Sequence, residues 1–89
     1  MDNRMNAQKV AEHYKEQMVG ETYRHLKGGI YIVTDIAVHS ETEGLIVIYK
    51  TFDSPSLTWA RPLSMFLSEV DKNKYPDVRQ EYRFEQLAN

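Results

Sequence analysis

Between residues 6 and 19 the apolar side chains Ala7, Val10, Ala11, Tyr14 and Met18 recur at the spacing of one helical face, with Lys9, Glu12, Lys15 and Glu16 on the other. The pattern predicts a helix that Asn6 caps at its start and Gly20 terminates. Its apolar stripe is narrow and so short a helix is marginal alone, so it is expected to pack on a sheet or on a second copy of itself. After Gly20 the period drops to two: Thr22, Arg24 and Leu26 alternate with Tyr23, His25 and Lys27. Gly28-Gly29 then marks a hairpin turn, where positive φ carries no Cβ penalty. Ile30 to Val38 is apolar on both faces apart from Thr34 and Asp35, the signature of a central strand. A polar loop from His39 to Gly44 precedes a β-branched and aromatic run from Leu45 to Phe52. Asp53-Ser54-Pro55-Ser56 reads as a turn and Leu57 to Arg61 as a short strand. Pro62 opens a helical turn with Leu63, Phe66 and Leu67 on one side, followed by a linker from Lys72 to Asp77. In the tail, Tyr82 and Phe84 alternate with Arg83 and Glu85, which favours a closing strand over a weak helix across Val78 to Leu87.

Five short strands joined by tight turns after one helix predict a mainly β fold, a small SH3-like antiparallel barrel or roll with an N-terminal α-helix. The helix would occupy residues 1–19 and the barrel residues 20–89. A chain of 89 residues holds one small core, and with no cysteine to staple it, a homo-oligomer is an expected source of further stability. The polar start, the lack of cysteine and the lack of an apolar run near about 18 residues favour a cytoplasmic location without membrane association. Eleven basic and thirteen acidic residues give a net charge of −2, so there is no global field to hold long nucleic acid.

Candidate chemistry is therefore local. Tyr23, His25 and Lys27 share one strand face, an aromatic, an imidazole and an ammonium in a row that suit a phosphate beside a flat ring, while Arg24 points to the other face. A solvated face with Tyr23 tucked into the core is the plainer alternative. Trp59 and Arg61 also share a face, and their chemistry is ring stacking and bidentate anion binding. Their structural alternative has Trp59 as the largest core piece and Arg61 bridging to Asp35, Glu41 or Asp53. His39-Ser40-Glu41-Thr42 names the residue types of a hydrolytic triad, but neighbours in one loop do not converge as a triad must. The segment suits a self-capping loop, or an anion contact through His39, Ser40 and Thr42. Tyr31 and Tyr49, in neighbouring strands, could line a groove or pack as core; Met65 and Phe66 read as core. His13, His25 and His39 lack metal-ligand spacing and the carboxylates are scattered, so no metal, cofactor or catalytic residue is expected.

Three segments, Tyr23-Arg24-His25-Leu26-Lys27-Gly28, Ala37-Val38-His39-Ser40-Glu41-Thr42-Glu43 and Trp59-Ala60-Arg61-Pro62-Leu63-Ser64-Met65-Phe66, stand in order along the chain. Together they resemble the small bacterial and phage family known as domain of unknown function 1653, over about residues 20–70. The family pattern runs Tyr-Arg-His-aromatic-Lys-Gly, His-Ser-Glu-Thr, Val-x-Tyr and Trp-x-Arg-Pro-x-x-Met-Phe. This chain departs from it at Leu26, where an aromatic is usual, and at Val38, where a basic residue is usual. The resemblance implies an SH3-like barrel and carries no activity. The expected function is a non-enzymatic module that binds a nucleotide-like anionic small molecule through Tyr23, Arg24, His25, Lys27, His39, Ser40, Thr42, Trp59 and Arg61. In a phage or bacterial setting it would sequester or sense a nucleotide signal. Two other classes use the same features: a homo-oligomeric protein-interaction module, with the helix joining copies and the barrel groove taking a peptide, and a single-stranded nucleic-acid binder.

Overall fold

A computed structural model describes residues 3–54 and 57–88. Helix α1 (Asn3–Met18) leads into strands β1 (Thr22–His25), β2 (Ile30–Val38), β3 (Leu45–Thr51) and β4 (Thr58–Pro62), a short helix α2 (Leu63–Phe66), and β5 (Phe84–Gln86). The strands form one antiparallel sheet in the order β4-β3-β2-β1-β5, so the fold is mainly β with an N-terminal helix, and the tail is a strand. No described ladder joins the edges β4 and β5. A side-chain contact spans them instead: the guanidinium of Arg61 on β4 lies 5.2 Å from the centroid of the Phe84 ring on β5, which requires the sheet to curl.

The helix begins before Asn6, which is therefore an exposed residue inside α1 and not its cap. It ends as its composition dictates. Gly20 adopts φ +87°, and its N–H donates to Val33 O at 2.8 Å, so the chain leaves α1 already bonded to β2. Ala11 and Met18 are buried and Tyr14 packs beside them, whereas Val10 is 48% exposed. Val10 thus falls off the predicted stripe, because an alanine-lined helix meets the sheet over a narrower arc than the five-residue stripe required. Through Ala11 and Met18 the helix belongs to the same core as the sheet.

β2 departs from the simple central strand. Its register with β3 slips between Val33 and Asp35, so a bulge at Thr34 re-phases the alternation. Val33 and Ile36, three residues apart, are consequently both buried in the one core, where an unbroken strand would have turned them to opposite faces. The apparent two-faced hydrophobicity was in part a change of phase. Thr34 Oγ1 donates to Ile48 O at 3.3 Å, and Asp35 Oδ1 accepts from Ile36 N–H at 2.8 Å, which satisfies polar groups at the irregularity.

The core closes on α2. Phe66 is fully buried, stacks on Phe84 at 4.0 Å between centroids and 7° between planes, and receives the edges of Tyr23 and Tyr49 at 5.2 and 5.5 Å. Met65, by contrast, is 47% exposed and is not core: the neighbouring residue of a one-turn helix points about 100° away. The Asp53–Ser56 turn falls partly outside the described residues. No described helix is long and apolar enough to cross a membrane.

Candidate functional site

Sheet register decides which of the sequence candidates meet. His25 is paired with Phe84, Tyr23 with Tyr31, Val33 with Tyr49, Tyr49 with Trp59 and Val47 with Arg61. Residues directly opposite in a ladder share a face, so His25, Phe84, Tyr31, Tyr49, Trp59 and Arg61 all lie on the inner face across five strands. Phe66 covers part of that face. The remainder is an open cavity of about 340 Å³ lined by Tyr31, Tyr49, Trp59 and Phe84, with His25, Lys27, Gly29 and Arg61 at its polar side.

The aromatic wall is a connected set. Tyr31 meets Tyr49 edge-on at 5.4 Å and Phe84 at 6.0 Å, Tyr49 meets Phe84 at 5.6 Å, and His25 meets Phe84 at 4.8 Å. Trp59 is 45% exposed, so it is a wall of the cavity and not the core's largest piece. Gly29 lies so close to Tyr31 that an added Cβ would sit 3.0 Å from the ring, which keeps this part of the rim bare.

His25 and Lys27 are positioned by the turn that follows β1. His25 N–H donates to Gly29 O at 2.7 Å, Gly28 N–H donates to His25 O at 2.8 Å, and Gly28 takes φ +105°. Lys27 N–H donates to His25 Nδ1 at 3.2 Å, which places the proton of the neutral ring on Nε2. Burial holds the His25 pKa below its ordinary 6.5, and the charges of Arg61, Arg83 and Lys27 push it the same way. The Tyr49 phenol is raised by burial; Arg61 opposes that shift and Tyr31 adds to it.

Arg61 makes no ion pair with Asp35, Glu41 or Asp53 among the described residues; Asp35 pairs with Lys15 at 3.4 Å on the surface instead. Arg61 Nη1 is buried without a hydrogen-bond partner among those residues. A buried guanidinium N–H left unpaired is costly, and it is the natural donor for an anion entering the cavity.

The other sequence candidates lie elsewhere. Tyr23 is 4% exposed beneath Phe66, and its burial, aided by Glu21, lifts the phenol to about 12, so it is a protonated core residue at neutral pH. Arg24 is exposed and paired with Glu85 in the ladder, on the outer face. His39, Ser40 and Thr42 belong to a loop that bonds mainly to itself: His39 Nδ1 accepts from Glu41 and Thr42 N–H at 3.1 and 3.2 Å, and Thr42 Oγ1 accepts from Gly44 N–H at 3.1 Å. His39 and Ser40 line a separate depression with Gln8, Val38 and Glu43.

Sequence reasoning did not single out Phe84, Gly29 or Arg83. Arg83 lines a second cavity of about 380 Å³ that adjoins the first and shares His25, Lys27 and Arg61 with it. The alternation in the tail was legible, but nothing local said that β5 would pair with β1 and not with β4.

The arrangement defines a class: a curled five-stranded domain whose inner face opens, beyond its aromatic core, into a cleft of rings and cations. Over residues 21–86 the chain matches the family described as Protein of unknown function (DUF1653), and it belongs to that family. The match begins after α1 and extends through β5. No curated protein and no solved structure matches the chain.

Proposed function

We propose that this protein is a non-enzymatic, cytoplasmic binding module for a nucleotide-like anionic small molecule, held in the cleft between Trp59 and Arg61. The observation that carries this reading is the convergence of Tyr31, Tyr49 and Trp59 with His25, Lys27 and Arg61 around one cavity, where Arg61 keeps a buried Nη1 without a partner. A planar base stacks on aromatic faces, and a phosphate takes charge-assisted hydrogen bonds from Arg and Lys. Rings and cations in one lining supply both kinds of contact that such a ligand takes. A neutral His25 adds a ring N–H that can donate to a phosphate or a sugar hydroxyl. Binding without turnover fits a role in sequestering or sensing a nucleotide signal in a bacterial or phage setting.

Trp59 is the one tryptophan of the chain, so its emission reports the cleft directly. Titration with the four ribonucleoside monophosphates should give a saturable change in emission with at least one of them, and the nucleotide recovered afterwards should be chemically unchanged. No response to any of the four or to their diphosphates would overturn the binding reading; a converted nucleotide would overturn its non-enzymatic part.

A further inference from the structure

The second cavity adjoins the ring-lined cleft and differs from it in chemistry. Lys27 and Arg61 line both cavities, Arg83 and Lys74 line only the second, and Tyr75 supports Lys74 with its ring centroid 5.4 Å from Nζ. Asp71 is the one carboxylate in this lining, and its Oδ1 is already engaged by the backbone N–H groups of Asn73 and Lys74 at 2.9 and 3.3 Å. Among the described residues none of Lys27, Arg61, Lys74 and Arg83 forms an ion pair within 4.0 Å. Four unpaired cations thus gather around one cavity in a chain whose net charge is −2. Like charges around one cavity repel one another, and an anion between them relieves that repulsion.

Two further observations point the same way. Arg83 Nε, like Arg61 Nη1, is buried without a hydrogen-bond partner among the described residues, so both guanidinium groups that line this cavity have donor capacity to spare. The backbone beneath Arg83 is held firmly: its N–H donates to Ser68 O at 2.8 Å and its carbonyl accepts from Leu26 N–H at 2.9 Å. The segment leading to it is tied by Lys72 Nζ, which donates to Val78 O and Gln80 O at 2.6 and 2.7 Å, and by Gln80 Nε2, which donates to Arg24 O at 3.0 Å. These are the features of a pre-organised subsite.

We infer that Arg83 and Lys74 form a second anion subsite, next to Arg61, which takes the distal phosphate of a ring-bearing diphosphate or longer polyphosphate. The inference rests on the nucleotide-binding reading above. It assigns the ring to the Trp59 side, the first phosphate to Arg61 and Lys27, and the next phosphate to Arg83 and Lys74.

Calorimetric titration of the full chain with the four ribonucleoside monophosphates and their diphosphates tests it. A diphosphate should bind about tenfold or more tightly than its monophosphate. Arg83→Gln and Lys74→Ala should each erase most of that difference while leaving monophosphate affinity within about twofold. Lys74 is exposed, so its variant keeps the test alive if Arg83→Gln fails to fold. Equal affinity for mono- and diphosphate, or variants that weaken both alike, would overturn the subsite and leave the nucleotide reading standing. Binding of neither series would overturn that reading as well, and tighter, length-dependent binding of oligonucleotides would replace both with single-stranded nucleic-acid recognition.

Discussion

The turn after β1 and the loop after β2 use the same local device. In each a histidine Nδ1 accepts the backbone N–H two residues ahead, from Lys27 to His25 and from Glu41 to His39. Their surroundings differ. His25 stands where five strands bring rings and cations to one inner face, whereas the side chains around His39 bond mainly within their own loop. The difference teaches that a motif's hydrogen bonds say little about its function until the sheet register shows what else arrives beside it. A glycine-bearing turn can set a side chain at the rim of a cavity or merely close itself.

The sharpest way to break this comparison is to remove the floor of the cleft. Phe66→Ala should cost about 3–5 kcal/mol of stability in chemical unfolding, because the side chain is fully buried in the aromatic stack. Ser40→Ala, in the exposed loop, should stay within about 0.5 kcal/mol of the wild type. Next comes Trp59→Ala, which should leave unfolding nearly unchanged, since the ring is half exposed, while costing about 1–3 kcal/mol in nucleotide affinity measured by calorimetry. His39→Ala should do the reverse. It frees two loop N–H groups, costs about 0.5–1.5 kcal/mol of stability and leaves affinity untouched.

Titration sharpens the contrast further. Because the folded pKa of His25 lies below its unfolded value of 6.5, the unfolded chain binds the extra proton first, so the neutral ring's contribution is complete above 6.5. It is lost as pH falls through 6.5 toward the folded pKa. Wild type should therefore lose more stability than His25→Asn when unfolding is followed from about pH 8 to about pH 5. The smallest effect lies in the loop. Glu43 is a non-glycine residue at φ +63°, and Glu43→Gly should raise stability by about 1 kcal/mol or less in thermal unfolding.

Much of the fold was written in the periodicity. The helix, all five strands, the Gly28-Gly29 turn and the one-turn helix after Pro62 follow from spacing and turn chemistry, since each is a local property. The bulge at Thr34 was not legible, because it is defined by what β3 does opposite it. The same distinction separates the site candidates. Two residues apart on one strand, Trp59 and Arg61 had to share a face, and His25 with Lys27 had to lie near one another. That the two pairs meet, and that Tyr23 lies under Phe66 instead of joining them, depends on the order β4-β3-β2-β1-β5 and on where α2 docks. Arg83 could be found only through the pairing of β5 with β1.

The central claim is that the His25 end of the sheet holds a ring-bearing phosphate and the His39 loop does not. Native mass spectrometry of the protein mixed with ribonucleotides tests it most directly, comparing wild type, the Trp59→Ala, Arg61→Ala double variant and the His39→Ala, Ser40→Ala double variant. A nucleotide-mass adduct on wild type and on the loop variant, absent from the cleft variant, is the predicted result. An adduct that survives in the cleft variant, or that disappears with the loop, would contradict the account.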